Sequence, residues 1–162
     1  MDKPVFLGVG ELFSSELSHE VIKTVGLGSC VALILIHLNS NCVGMSHIAL
    51  PDSSIKTTKE VPEGYFADKA VPNLIASMKR IESTLVCGSL IAKLVGGSSV
   101  MDRDGVFNIG KENLASIRRI LEVQGIAIKS MDVGGSISRS VSITPGSKEV
   151  LVVYPGEGSR II

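Results

Sequence analysis

The residues of this 162-residue chain best suited to acyl-transfer chemistry are three cysteines, Cys30, Cys42 and Cys87, and three histidines, His19, His37 and His47. Cys30 ends the segment Gly26-Leu27-Gly28-Ser29-Cys30, a flexible turn that feeds the apolar run Val31-Ala32-Leu33-Ile34-Leu35-Ile36. Such a corner presents a thiol at a surface while the strand behind it holds its position. It also leaves the backbone N–H groups near Ser29 and Cys30 to meet a developing oxyanion. Cys42 and Cys87 lack this setting and read as small, inert core residues, a reading that local features alone leave open for Cys30 too. His47 lies in the strand-like Met45-Ser46-His47-Ile48, where a hydrogen-bonded structural histidine is the default. Its place on the hairpin arm opposite Cys30 makes it the candidate base: an imidazole that takes the thiol proton leaves a potent nucleophile.

Other chemistries find little support. The histidines show neither i,i+4 pairing nor a His-Glu-x-x-His pattern, so no metal site is expected. Gly26-x-Gly28 lacks a third glycine at dinucleotide spacing, and no Gly-Lys-Ser/Thr is present, so no nucleotide cofactor is expected either. Gly96-Gly97 and Gly134-Gly135 read as turns, bulges or close backbone approaches before ligand contacts. Lysine plus arginine equals aspartate plus glutamate at 16 each, without a basic run, which excludes an electrostatic footprint for nucleic acid or an anionic membrane. Three cysteines without Cys-x-x-Cys spacing indicate neither a disulfide framework nor a zinc knuckle, and a reducing, cytoplasmic setting is expected. Met1-Asp2-Lys3-Pro4 does not open like a secretory signal. The longest apolar run falls far short of the roughly 20 residues of a membrane span.

The elements that must position Cys30 and His47 read mainly as strands. Residues 5–9 and 21–25 are short apolar or alternating runs bounded by glycine. Residues 31–38 and 42–50 flank Asn39-Ser40-Asn41 as a hairpin. Pairing symmetric about that trio sets His47 opposite Leu33, three positions from Cys30, or roughly 10 Å at strand rise, too far for a hydrogen bond. A register centred on Leu38-Asn39, a bulge, or a bend at Cys30 would close the gap. Pro51 to Gly64 is a long polar loop and a candidate wall of a binding groove, though a plain exposed loop fits equally. A helix is expected over 66–81, with Pro72 marking its start or a kink. A second covers 111–124, with Leu114, Ile117 and Leu121 on one stripe and Gly125 as cap. Strands are expected at 90–95, 126–131, 137–143 and 149–154, the last two separated by the turn Pro145-Gly146-Ser147-Lys148. The sum is one α/β domain spanning residues 1–162, a mixed sheet layered with two main helices.

Two longer blocks then stand out: Thr24-Val25-Gly26-Leu27-Gly28-Ser29-Cys30-Val31-Ala32 and Gly44-Met45-Ser46-His47-Ile48-Ala49-Leu50-Pro51. With Ala67-Asp68-Lys69-Ala70-Val71, Lys93-Leu94-Val95-Gly96-Gly97-Ser98, Asn108-Ile109-Gly110-Lys111-Glu112-Asn113, Asp132-Val133-Gly134-Gly135 and Arg139, they make a sequence that resembles the chemoreceptor glutamine deamidase (CheD) family over nearly its whole length. Ser138 stands where that family often has glycine, and Phe66 where tyrosine is common.

The resemblance implies a catalytic Cys30, His47 and Thr24, in which the Thr24 hydroxyl orients the imidazole; without it Thr24 reads as an ordinary β-branched strand residue. It implies a layered α/β fold similar to deamidating bacterial toxins. It further implies chemotaxis receptors as protein substrate, receptor methyl-ester hydrolysis as a second activity in some members, and a CheC-type CheY phosphatase as partner, with no cofactor. Two other readings compete: a non-catalytic adaptor that binds receptors or the phosphatase, and a cysteine peptidase-like hydrolase using the same dyad.

Overall fold

The computed structural model describes residues 3–100 and 108–162; Met1 and Asp2 of the N-terminal stretch lie outside them. The chain runs β1 (Val5–Leu7), β2 (Leu12–Ser15), β3 (Ile22–Leu27), β4 (Val31–His37), β5 (Val43–Ile48), α1 (Ala67–Ile81), β6 (Leu90–Gly96), α2 (Ile109–Gln124), β7 (Ala127–Val133), β8 (Arg139–Ile143), β9 (Val150–Tyr154) and β10 (Gly158–Ile161). The expected α/β layering with two main helices holds, with the strands divided between two five-stranded mixed sheets, β1-β3-β8-β9-β10 and β2-β5-β4-β6-β7.

The uninterrupted apolar run of β4 follows from its position. As third strand of the second sheet, it is buried on both faces along all seven residues. Val31, Leu33 and Leu35 join a core with Ala70, Leu74 and Met78 of α1 and Ile117 and Leu121 of α2. Ala32, Ile34 and Ile36 join a second core with Ile22, Val141, Ile143 and Val152 of the first sheet. The order is therefore sheet, sheet, helices, with β4 common to both cores. Pro72 sits inside α1, where it removes one intrahelical hydrogen bond without ending the helix. Gly125 caps α2 as expected, in the left-handed conformation, with its N–H on the carbonyls of Leu121 and Glu122. Among the described residues no helix is long and apolar enough to cross a membrane.

Two short strands escape the sequence pattern. Leu12–Ser15 carries little alternation, and Gly158–Ile161 is an exposed edge strand with almost no apolar signal. Ser138 does not adopt positive φ, so its place in a commonly glycine position carries no backbone strain.

Asp132 of β7 is buried and joins the second sheet to the first. It accepts from Arg139 Nε at 2.8 Å, Arg160 Nε at 2.9 Å and the Tyr154 hydroxyl. Burial alone would raise its carboxyl, but the Tyr154 and Arg139 hydrogen bonds and the two guanidinium charges outweigh it and hold the pKa below the ordinary value. This contribution to stability is present above the unfolded aspartate pKa of about 3.9 and is lost as pH falls through the lower folded value. Asp132→Asn is expected to cost about 3 kcal/mol near neutrality, because Arg139 is left buried without its anion. Urea midpoints across pH should show the gap from wild type closing below about pH 4.

Candidate active site

The hairpin register decides whether Cys30 and His47 can meet. Val31 pairs with Ile48, Ala32 with His47, and Ile36 with Val43, closed by a four-residue loop over Leu38–Asn41. The symmetric register is thus off by one, and His47 faces Ala32, not Leu33. One residue of slip exchanges the faces of a strand. In the observed register His47 shares the face of Ala32, Met45 and Cys30, all turned toward the space between the sheets. Cys30 lies two residues before Ala32, the partner of His47, a diagonal offset of about 7 Å, and no hydrogen bond joins its thiol to His47 Nε2.

Thr24 arrives from the other sheet. Its Oγ1 donates to the Leu7 carbonyl at 2.8 Å and lies 2.6 Å from His47 Nδ1. A hydroxyl has one proton. With that proton committed to Leu7, Thr24 accepts at Nδ1, so Nδ1 carries the ring hydrogen and Nε2 presents its lone pair. Thr24 and His47 are both buried, and Nε2 has no hydrogen-bond partner among the described residues. Burial lowers the imidazole pKa and keeps the ring neutral. Burial likewise raises the Cys30 thiol, while its own backbone N–H pulls the other way.

β3 carries an extra residue between Thr24 and Leu27 where it pairs with β8, and Gly26 takes φ 67° there. This bulge prolongs the strand to Leu27, two residues past its expected end, and leaves the short turn Gly28-Ser29 to reach Cys30. The carbonyls of Gly28, Ser29 and Cys30 are all bound. Gly28 O accepts from Ser98 N (2.8 Å) and Ser98 Oγ (2.9 Å), Ser29 O from Asn113 Nδ2 (3.0 Å), and Cys30 O from Gly97 N (2.8 Å). Gly96 and Gly97 permit this approach. A Cβ on Gly96 would lie 2.3 Å from the Cys30 carbonyl oxygen, and one on Gly97 would strike Leu114. The pair serves close backbone contact, one of its sequence readings.

The remaining thiols and histidines are drawn elsewhere. Cys42 is buried against α1, and its thiol is pushed up to about 11 by burial and by Glu16 and Glu82. Cys87 is half-buried near Gln124. His37 Nδ1 is bound to Ser40 Oγ at 2.7 Å. The polar loop after Leu50 is pinned by Ser53 to Asp68 and by Glu63 O to Asn73. Its end touches the Gly8–Glu11 turn through Gly64 N and Gly10 O, and Gly10 N in turn binds the His47 carbonyl. Asn113 and Ser98 were not singled out from sequence for any role. Asn113 follows the apolar stripe of α2 yet is fully buried, and a polar residue at such a place was the available signal.

The family model described as CheD chemotactic sensory transduction matches residues 49–154. The chain is 39% identical over 155 residues to a probable chemoreceptor glutamine deamidase CheD of Syntrophotalea carbinolica, covering 95% of this chain and 96% of that one. It is 34% identical to the chemoreceptor glutamine deamidase CheD of Thermotoga maritima (96% and 94% covered) and 36% identical to that of Bacillus subtilis (88% and 87% covered).

Proposed function

The chain belongs to the CheD family of chemoreceptor glutamine deamidases, and from that premise we propose that Cys30, His47 and Thr24 convert receptor glutamine side chains to glutamate. The observation that carries this reading is the Thr24–His47 hydrogen bond, which leaves Nε2 unprotonated on the face that Cys30 shares.

Cys30 Sγ gives its proton to His47 Nε2 and attacks the side-chain amide carbon. The oxygen becomes an oxyanion received by the backbone N–H groups of Ser29 and Cys30. The C–N bond then breaks, and the nitrogen leaves as ammonia with the proton from His47, forming a thioester on Cys30. Water next gives a proton to Nε2 and adds to the thioester. The C–S bond breaks, the product is glutamate, and the proton returns to sulfur. No step needs a cofactor. The same acyl chemistry accommodates receptor methyl esters, with methanol leaving in place of ammonia. The deamidase unit comprises residues 1–162 and works in the cytoplasm on the helical receptor domain, with a CheC-type phosphatase as its regulatory partner.

Incubation with cognate receptor fragments, followed by intact-mass and peptide mass spectrometry, tests this. Deamidated glutamines together with a transient adduct on the Cys30 peptide are expected. An unmodified receptor under all conditions would instead favour the adaptor reading, and a cleaved receptor the peptidase one.

Thr24→Val keeps the shape of the side chain but leaves Nδ1 without its acceptor, so the ring is free to shift tautomer. We expect kcat to fall about 10²-fold with KM little changed, and Thr24→Ser to restore most of it. Steady-state deamidation kinetics on the three proteins check this.

A further inference from the structure

We infer that Asn113 is a positioning residue for the nucleophile: its one carboxamide ties the strand that carries Cys30 to the strand that carries His47 and aims the Cys30 N–H at the reaction site. The inference rests on Cys30 being the nucleophile and deepens that reading.

The β4–β5 ladder ends at Val31 and Ile48. Beyond it the chain segments lead away on either side, toward Ser29-Cys30 and toward Ala49-Leu50. Asn113 Nδ2 donates to the carbonyls of Ser29 and Ala49, both at 3.0 Å. Those two residues immediately precede Cys30 and follow Ile48. Asn113 is fully buried. Two carbonyl oxygens face the side chain, so only the amide nitrogen, with its two hydrogens, fits there. The clasp takes the place of the next ladder rung and comes from a different layer of the fold, the helix α2.

Its second effect follows from peptide planarity. No cis peptide occurs among the described residues, so the Ser29 carbonyl and the Cys30 N–H point in opposite directions. Holding the carbonyl toward α2 turns the N–H to the other side. That N–H lies close enough to the Cys30 sulfur to favour its thiolate, against the burial that raises the thiol. Ser98 holds the preceding peptide through the Gly28 carbonyl. The turn is thus preorganised by donors that never meet the substrate.

A control lies one turn further along the same helix. Ser116 Oγ donates to the Pro51 carbonyl at 2.8 Å, an equivalent helix-to-loop bond that does not touch the Cys30 turn. The test compares wild type, Asn113→Ala and Ser116→Ala. Iodoacetamide labelling of the Cys30 peptide is followed across pH by mass spectrometry, beside receptor deamidation kinetics and thermal melting.

The expected result for Asn113→Ala is a fall of about 10²-fold in kcat with KM within about twofold. Cys30 alkylation should slow and its pH profile should move to higher pH, with Ser116→Ala matching wild type in both. Asn113→Ser, whose short hydroxyl cannot span two carbonyls, serves if the alanine variant does not fold, and should fall between. A folded Asn113 variant with wild-type alkylation and kcat overturns the inference, as does an equal change in Ser116→Ala. Alkylation needs no receptor. Absence of wild-type deamidation would therefore count against the proposed function and leave the Asn113 result readable.

Discussion

Cys30→Ser is expected to leave cognate receptor glutamines unconverted, with turnover down at least about 10³-fold and the melting temperature close to wild type. The substitution changes one half-buried atom, so the fold has little reason to respond. The chemistry has every reason: an alcohol is a far weaker acid than a thiol, and an imidazole whose basicity burial has lowered cannot draw its proton. Cys87→Ser should keep full turnover. Cys42→Ala should also keep it at the cost of some stability, since that thiol is buried under α1 and held protonated. Mass spectrometry of receptor fragments over time measures all three, and a serine variant within tenfold of wild type would remove Cys30 from its assigned role.

Replacement of His47 should be nearly as damaging and should leave a signature in pH. At rest the thiol and the imidazole are both neutral, because burial raises one pKa and lowers the other. In the wild type the acid limb of kcat/KM therefore lies below the ordinary histidine value of about 6.5, where protonation of Nε2 removes the base. In His47→Gln that limb should disappear. The residual rate, about 10³-fold lower at neutral pH, should climb instead through the raised thiol pKa, above the usual 8.5. An unchanged acid limb in the variant would show that another group accepts the proton.

Much of this architecture was legible because β4 and its neighbours are apolar for structural reasons, and α2 because its stripe and terminal glycine agree. What escaped was set by contacts between distant segments. The hairpin loop uses four residues where three were expected, and that single residue decides which face His47 occupies. Thr24 meets His47 across the gap between two sheets, so no local pattern marks it, and only the family resemblance raised it above an ordinary strand residue. Asn113 acts from a helix more than eighty positions away from the turn it holds. Single-sequence periodicity carries no information at that range.

The strand behind Cys30, shared by both cores, has a consequence for how the protein loses activity. Amides of Val31 to His37 can exchange with solvent only when both layers separate, so their protection should equal that of whole-molecule unfolding. The edge strand Gly158–Ile161, exposed throughout, should exchange early and without effect on turnover. Heat or denaturant would then abolish deamidation in the same cooperative step that melts the protein, with no inactive but folded species preceding it.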